Sequence, residues 1–235
     1  YVGWGWKAGG TAVSNTNGTI TSSVSANPSA GFSIVSWVGD GANGTVGHAL
    51  SKKPELIITK NRTSVNKWYT YTDIIDGTSD YLSLETSAAV GASGTAVATS
   101  SVFENDGHAG TESLIAYCFH SVDGHSKVGS YTGNGNADGP FVHCGFRPAY
   151  VMIKRTDVAE NWWILDNKRN PYNAVDTALR SNASSVDVVS PTKYEQDFVS
   201  NGIKLKTADL DVNASGGTYI FLAFAESPFK HTNAR

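Results

Sequence analysis

At 235 residues the chain is long enough for one large β domain or two ordinary ones, each burying its own core. Charged residues make up 17% of it and the formal net charge is −3, which excludes the basic stripe of a nucleic-acid-binding surface. Gly (24 residues), Ser, Thr and Asn dominate the polar fraction, β-branched and aromatic residues are plentiful, and Lys and Glu are scarce, a strand-and-turn composition.

The predicted elements begin at Tyr1–Lys7, where large and small residues alternate with the period of a strand. From Ala8 to Gly31 the chain is rich in Gly, Ser, Thr and Asn and reads as a linker, with a weak strand around Thr19–Val24. Strands are then expected at Phe32–Val38, Glu55–Lys60, Lys67–Thr72, Tyr81–Leu84, Val102–Glu104 and Leu114–His120, parted by turns such as Asp40–Gly44 and Asn105-Asp106-Gly107. The second half repeats that order at Ser126–Tyr131, Tyr150–Arg155, Trp162–Asp166, Thr177–Arg180, Gly202–Lys206 and Thr218–Ala225. Only Asn173–Ser181 reads as a helical turn or two. The strong periods are two, never 3.6, so the chain is expected to be all-β.

The halves share a register. Pro54 and Pro148 stand 94 residues apart, and the same offset relates Gly39 to Gly133, Gly41 to Gly135, Lys60 to Lys154 and Trp68 to Trp162. These are residue types that backbone geometry or a core position restricts. A closing strand recurs three times, as Val2–Lys7, Ile115–His120 and Ile220–Ala225. The expected organisation is therefore a closing strand of an upstream repeat plus linker over 1–30, a first β-sandwich repeat over 31–121 and a second over 122–235. The start at Tyr1, inside an apolar pattern, leads us to expect a piece of something longer or its processed product. No apolar run reaches the roughly eighteen residues of a membrane-spanning helix, so membrane insertion is not expected.

Chemistry-bearing motifs are sparse. Cys118, in an apolar run, and Cys144, in a Gly-bounded loop, read as independent thiols, with a single disulfide as the alternative. Asn134-Gly-Asn136-Ala-Asp138-Gly139 has the oxygen spacing of a calcium loop, but Gly145 stands where a bidentate Glu belongs, and a polar turn explains it. His120, Asp123 and His125 come nearest to a zinc cluster and read as a solvated loop. No carboxylate pair, nucleophile elbow or phosphate loop appears, so no catalytic residue, metal or cofactor is expected. Trp68-Tyr69 and Trp162-Trp163 occupy one strand in each copy, and strand neighbours point to opposite faces. If Trp68 and Trp162 fill the core, Tyr69 and Trp163 face outward or meet a second sheet. An outward Trp163 beside Arg155, Arg169 and Tyr172 would stack on a sugar or on a partner chain.

The block Gly129–Asp157 (GSYTGNGNADGPFVHCGFRPAYVMIKRTD), with Asn161-Trp-Trp-Ile-Leu-Asp166, Arg169-Asn-Pro-Tyr-Asn173, Asn213–Ile220 and the ending Ala225–Arg235, resembles a module of tailed bacteriophages, especially marine ones. The resemblance covers nearly the whole chain and implies tandem concanavalin-like jelly rolls in a tail or head fibre or another virion structural protein. His143 and Cys144 depart from its pattern, in a loop that more often carries Tyr and Thr, and no catalytic residues follow from it. It implies location in the virion, a homo-oligomer with a trimer as first guess, other virion proteins as partners, and adhesion to host-surface glycan. Since rigid sheets position variable loops, the expected recognition elements are exposed loops that include Asp40–Gly44 and Asn134–Gly139, with Asn134 and Asp138. A free-standing lectin-like module is the alternative, and a polysaccharide-degrading tailspike the third reading.

Overall fold

In the computed structural model, residues 2–41, 43–93, 98–105 and 110–228 are described. Ala42, the Asp106-Gly107 turn with His108, and the ending from Phe229 to Arg235 lie outside them. The chain is all-β and antiparallel, and it divides into two compact units. The first comprises Trp4–Leu84 and Gly91–Ser121; the second comprises Glu85–Val90 and the chain from Val122 on, with the first three residues.

The first unit is built on an eight-stranded sheet. Its strands are β1 (Val13–Asn15), β2 (Ser22–Asn27), β3 (Phe32–Val38), β5 (Leu56–Asn61), β6 (Trp68–Thr72), β7 (Asp80–Ser83), β8 (Gly91–Ala92) and β10 (Ser113–Phe119), in the order β1-β2-β3-β10-β5-β6-β7-β8. A two-stranded sheet, β4 (Thr45–Gly47) with β9 (Val102–Glu104), forms the second layer. Between the layers lie Val24, Val35, Trp37, Ile57, Leu114 and Ala116 from the large sheet and Val46 and Phe103 from the small one. Alternation along each strand produces this core, because every second side chain points inward.

The second unit repeats the plan. β11 (Ser126–Thr132), β13 (Pro148–Arg155), β14 (Trp162–Asp166), β15 (Thr177–Arg180), β16 (Val188–Val189) and β19 (Thr218–Ala225) form a sheet in the order β11-β19-β13-β14-β15-β16. That is the order β3-β10-β5-β6-β7-β8 of the first unit. A three-stranded sheet of β12 (Phe141–His143), β17 (Gln196–Val199) and β18 (Gly202–Leu205) faces it, and a single helical turn, α1 (Leu210–Asn213), precedes β19. The core here includes Val151, Ile153, Leu165 and Phe221 against Val142, Phe198 and Ile203.

The registers also coincide. In the first unit Ser36, Ile115, Lys60 and Trp68 follow one another across β3, β10, β5 and β6. In the second, Ser130, Ile220, Lys154 and Trp162 follow one another across β11, β19, β13 and β14. Gly41 and Gly135 both hold positive φ, 82° and 65°, where a Cβ is disfavoured. The amide of Gly39 donates to Glu112 O at 2.9 Å and that of Gly133 to Gly217 O at 2.9 Å, closing equivalent turns onto the start of the closing strand.

Two expectations need correction, and one alternative is resolved. The segment from Ala8 to Gly31 is no linker, since it supplies β1 and β2 to the first unit's sheet. Its serines misled because they serve both faces of β2: Ser22 is buried and donates to Gly47 O at 2.9 Å, while Ser23 faces solvent. Conversely, Val2–Lys7 is not in a strand; Lys7 O is tied to β2 by the Asn27 side chain at 3.1 Å rather than by a backbone ladder. In the stretch 173–181 the strand expected at Thr177–Arg180 is found as β15, paired with β14, and the alternative of a helical turn falls away.

Candidate functional site

The residues singled out in the sequence fall in four different places. Trp163 is 3% exposed and sits inside the second unit's core, its ring 4.5 Å from that of Tyr194 with the Arg180 guanidinium over it at 5.7 Å. Of the two alternatives for Trp163, the second holds and the outward platform is overturned: Trp163 meets a second sheet, pointing between the two layers, and no ring face is open to a sugar. Tyr69 likewise packs against the first unit's core, with ring contacts to Tyr71 at 5.9 Å and Tyr81 at 5.7 Å. Arg169 is engaged by Asp166 and, at 3.6 Å, by Asp187, while nearby Tyr172 is 83% exposed.

Asn134, Asp138 and Arg155 do come together, around α1. Asn134 Oδ1 accepts from the Asn136 amide at 3.0 Å, and Asn136 Oδ1 from the Asp138 amide at 2.9 Å. The fully buried Asn213 donates to Asn134 Oδ1 at 3.0 Å and to Asn136 O at 2.9 Å. Asp138 pairs with Lys204 at 2.6 Å, which holds its carboxyl below the usual range. The oxygens that mimic a calcium set are thus spent on the loop itself. Among the described residues no His, Cys, Asp or Glu cluster is arranged to hold a metal. Arg155 grips Asp157 with two bonds of 2.9 Å and reaches Leu210 O at 3.3 Å. On α1 itself, burial pushes the Asp211 carboxyl up to about 6, helped by the charges of Glu160 and Asp209 and by a hydrogen bond to Glu160. Both cysteines are buried and free.

The open concavity lies elsewhere, on the outer face of the first unit's sheet. Two hollows of about 640 and 620 Å³ adjoin there, sharing Ser23, Ser36 and Arg62. The first extends past Ser14, Thr21 and Ser113 towards Asp40; the second extends past Ser25 and Gly10 to Lys7. Ile34 and Ile115 form part of the second hollow's lining. The result is a shallow trough across β1, β2, β3 and β10, hydroxyl-rich with a partly apolar floor. Three strand spacings make it roughly 14 Å across.

Local sequence builds this trough. Alternation in Ser22–Asn27 sends Ser23 and Ser25 outward and Ser22 and Val24 inward. One wall depends on Gly9, which passes so near β2 that a Cβ would stand 2.0 Å from Ala26 O. Arg62 is set by an Asx turn, in which buried Asn61 Oδ1 accepts from the amides of Thr63 at 2.9 Å and Ser64 at 3.0 Å. Glu112 clamps that turn through Asn61 Nδ2 at 2.5 Å and Ser64 Oγ at 2.8 Å. The nearby acid is thereby committed to the turn. Arg62 is exposed, and among the described residues no carboxylate pairs with its guanidinium.

On the equivalent face of the second unit Ser130, the counterpart of Ser36, is exposed, but the strands beyond it are closed. Ile220 is 3% exposed, Trp162 1% and Lys154 0%, where Ile115, Trp68 and Lys60 are only half-buried. Lys154 Nζ donates to Arg155 O at 2.7 Å and to Ser87 O at 3.3 Å, and burial lowers its pKa to about 8. The site was missed in the sequence because its signal, serines at alternate positions 23 and 25 of β2 with Ser36 beside them on β3, is indistinguishable from linker composition. Asp40, at its rim, is the one residue of a foreseen recognition loop that reaches it.

Fold and site together define a duplicated antiparallel β-sandwich protein with an open polar trough on its first unit. Residues 1–228 match the family described as a domain of unknown function, DUF7483, and the chain belongs to that family. No curated protein and no solved structure matches the chain.

Proposed function

We propose that the chain is a non-enzymatic structural and adhesive segment of a bacteriophage virion, from a tail or head fibre, that engages host-surface glycan through the trough of its first unit. The observation that carries the adhesive part is the trough itself, an open concavity lined by hydroxyls on a rigid sheet. Interfaces between proteins are depleted in serine and enriched in aromatic residues at their centres, so a serine-lined face suits a polyhydroxylated ligand better. Its partly apolar floor suits the C–H faces of sugar rings. The virion location rests on the resemblance of Gly129–Asp157 and the segments that follow to tailed-phage modules. In that setting the chain assembles with copies of itself, a trimer being the first expectation, and with other virion proteins.

A depolymerising activity is the competing reading, and Asp211 beside Glu160 is its best candidate. Those two carboxyls are in hydrogen-bond contact, whereas glycosidic cleavage needs a pair separated by roughly 5–9 Å. The test is to incubate the purified protein with polysaccharide from a susceptible host. The expected result is retention of the protein on the polysaccharide with no rise in reducing ends. Steady release of reducing sugar, lost on Asp211→Asn or Glu160→Gln, would overturn the non-enzymatic reading.

A further inference from the structure

We infer that the trough takes an acidic polysaccharide, with a uronate carboxylate seated on Arg62. This deepens the adhesive reading above and rests on it. The argument is one of charge and placement. Arg62 belongs to both hollows, so a chain lying along the trough passes it wherever it enters. Among the described residues no carboxylate engages its guanidinium, and the nearby Glu112 is committed to Asn61 and Ser64. A rigid turn holds the backbone of Arg62, whose amide donates to Ser113 O at 2.8 Å. A guanidinium offered in this way is matched by a planar carboxylate, which it binds through two parallel hydrogen bonds.

The remaining charges give the ligand a direction. Asp40 lines the first hollow and Lys7 the second. Acid groups along a bound chain are therefore favoured from Arg62 towards Lys7 and disfavoured at the Asp40 end. Between those charges the Ser23 hydroxyl is placed to donate and accept, while those of Ser25 and Ser36, which donate to Gly10 O at 2.7 Å and Ser23 O at 3.4 Å, keep their acceptor lone pairs for the hydroxyls of a sugar chain. The second unit offers no such seat: Thr156, which stands 94 residues after Arg62, is 1% exposed.

The experiment is affinity electrophoresis of the whole chain through gels carrying alginate, a polyuronate, or dextran, a neutral glucan. Wild type, Arg62→Gln and Arg62→Lys are compared, with thermal melting as the folding control. We expect alginate to retard the wild type, Arg62→Gln to weaken that retardation roughly tenfold or more, and Arg62→Lys to recover part of it. All three proteins should melt together, since among the described residues no carboxylate pairs with the Arg62 side chain. Equal retardation by dextran and alginate, or a full alginate response in Arg62→Gln, would overturn the acidic assignment while leaving a glycan-binding trough standing. Absence of retardation in both gels, together with no retention on host polysaccharide, would overturn the adhesive reading as well.

Discussion

Lys60 lies opposite Trp68 across β5 and β6, its ammonium 5.8 Å from the indole centroid. Lys154 lies opposite Trp162 at the same point of the second sheet, yet there both side chains are buried. One backbone plan thus presents the same pair half-open in one unit and sealed in the other. The physical consequence falls on the lysine, since an ammonium without water is disfavoured.

The pH dependence of stability should carry the mark of Lys154. Below pH 8 the amine is charged in both folded and unfolded chains and its burial cost is felt in full. Between about 8 and the ordinary 10.5 the folded chain sheds the proton first, so stability rises with pH across that window. Urea titrations of the wild type against Lys154→Met should show this rise, up to about 3 kcal/mol, in the wild type alone. Parallel curves would refute the assignment.

His48 should act at the other end of the scale. It is fully buried, accepts from the Leu50 amide at 3.1 Å, and has its pKa lowered to about 4, chiefly by burial. The folded state prefers neutral His48, so its stability is complete above about 6.5 and is lost as pH falls towards 4. His48→Gln should show a shallower loss over that window, smaller by about 2–3 kcal/mol, in denaturant melts at stepped pH.

Asn213→Ala should be among the most damaging polar substitutions in the second unit. Its side chain accepts from the Asn134 amide at 2.8 Å and donates to Asn134 Oδ1, Asn136 O and Thr207 O. Removing it strands buried partners and frees the 134–138 loop, at a cost of about 2–4 kcal/mol. Chemical denaturation measures the cost. A loss under 1 kcal/mol would mean the loop is not anchored as described.

Trp163→Ala separates core from surface. Deleting a buried indole should cost about 3–5 kcal/mol and leave glycan retention per folded molecule unchanged. Loss of retention in a variant that still folds would restore the stacking platform that its burial argues against.

Much of the fold was legible in the sequence because the turns and strands that define it use restricted residues. Gly41 and Gly135 were legible as a matched pair, and both adopt positive φ. Trp68 and Trp162 marked equivalent strands at the same offset. The site was less legible. The tryptophan face was assigned by supposing that the first Trp of each pair fills the sandwich, whereas Trp163 takes that place and Trp162 is buried on the opposite face. Period-two alternation gives two faces but does not say which is inner when both are buried, as they are on β13 and β14. β1 was hidden, and β2 showed only as a weak strand around Thr19–Val24, for a related reason. Their serines face solvent on one side and hydrogen-bond inside on the other, a pattern with no hydrophobic signature.

The most direct test of the account is the stoichiometry of glycan binding, measured by calorimetric titration of the whole chain with a uronate oligosaccharide long enough to span the trough. A trough that carries Arg62 on the first unit, with buried Thr156 at the matching place of the second, predicts one site per chain, lost in Arg62→Gln. Two equivalent sites per chain, or one site indifferent to Arg62, would contradict it.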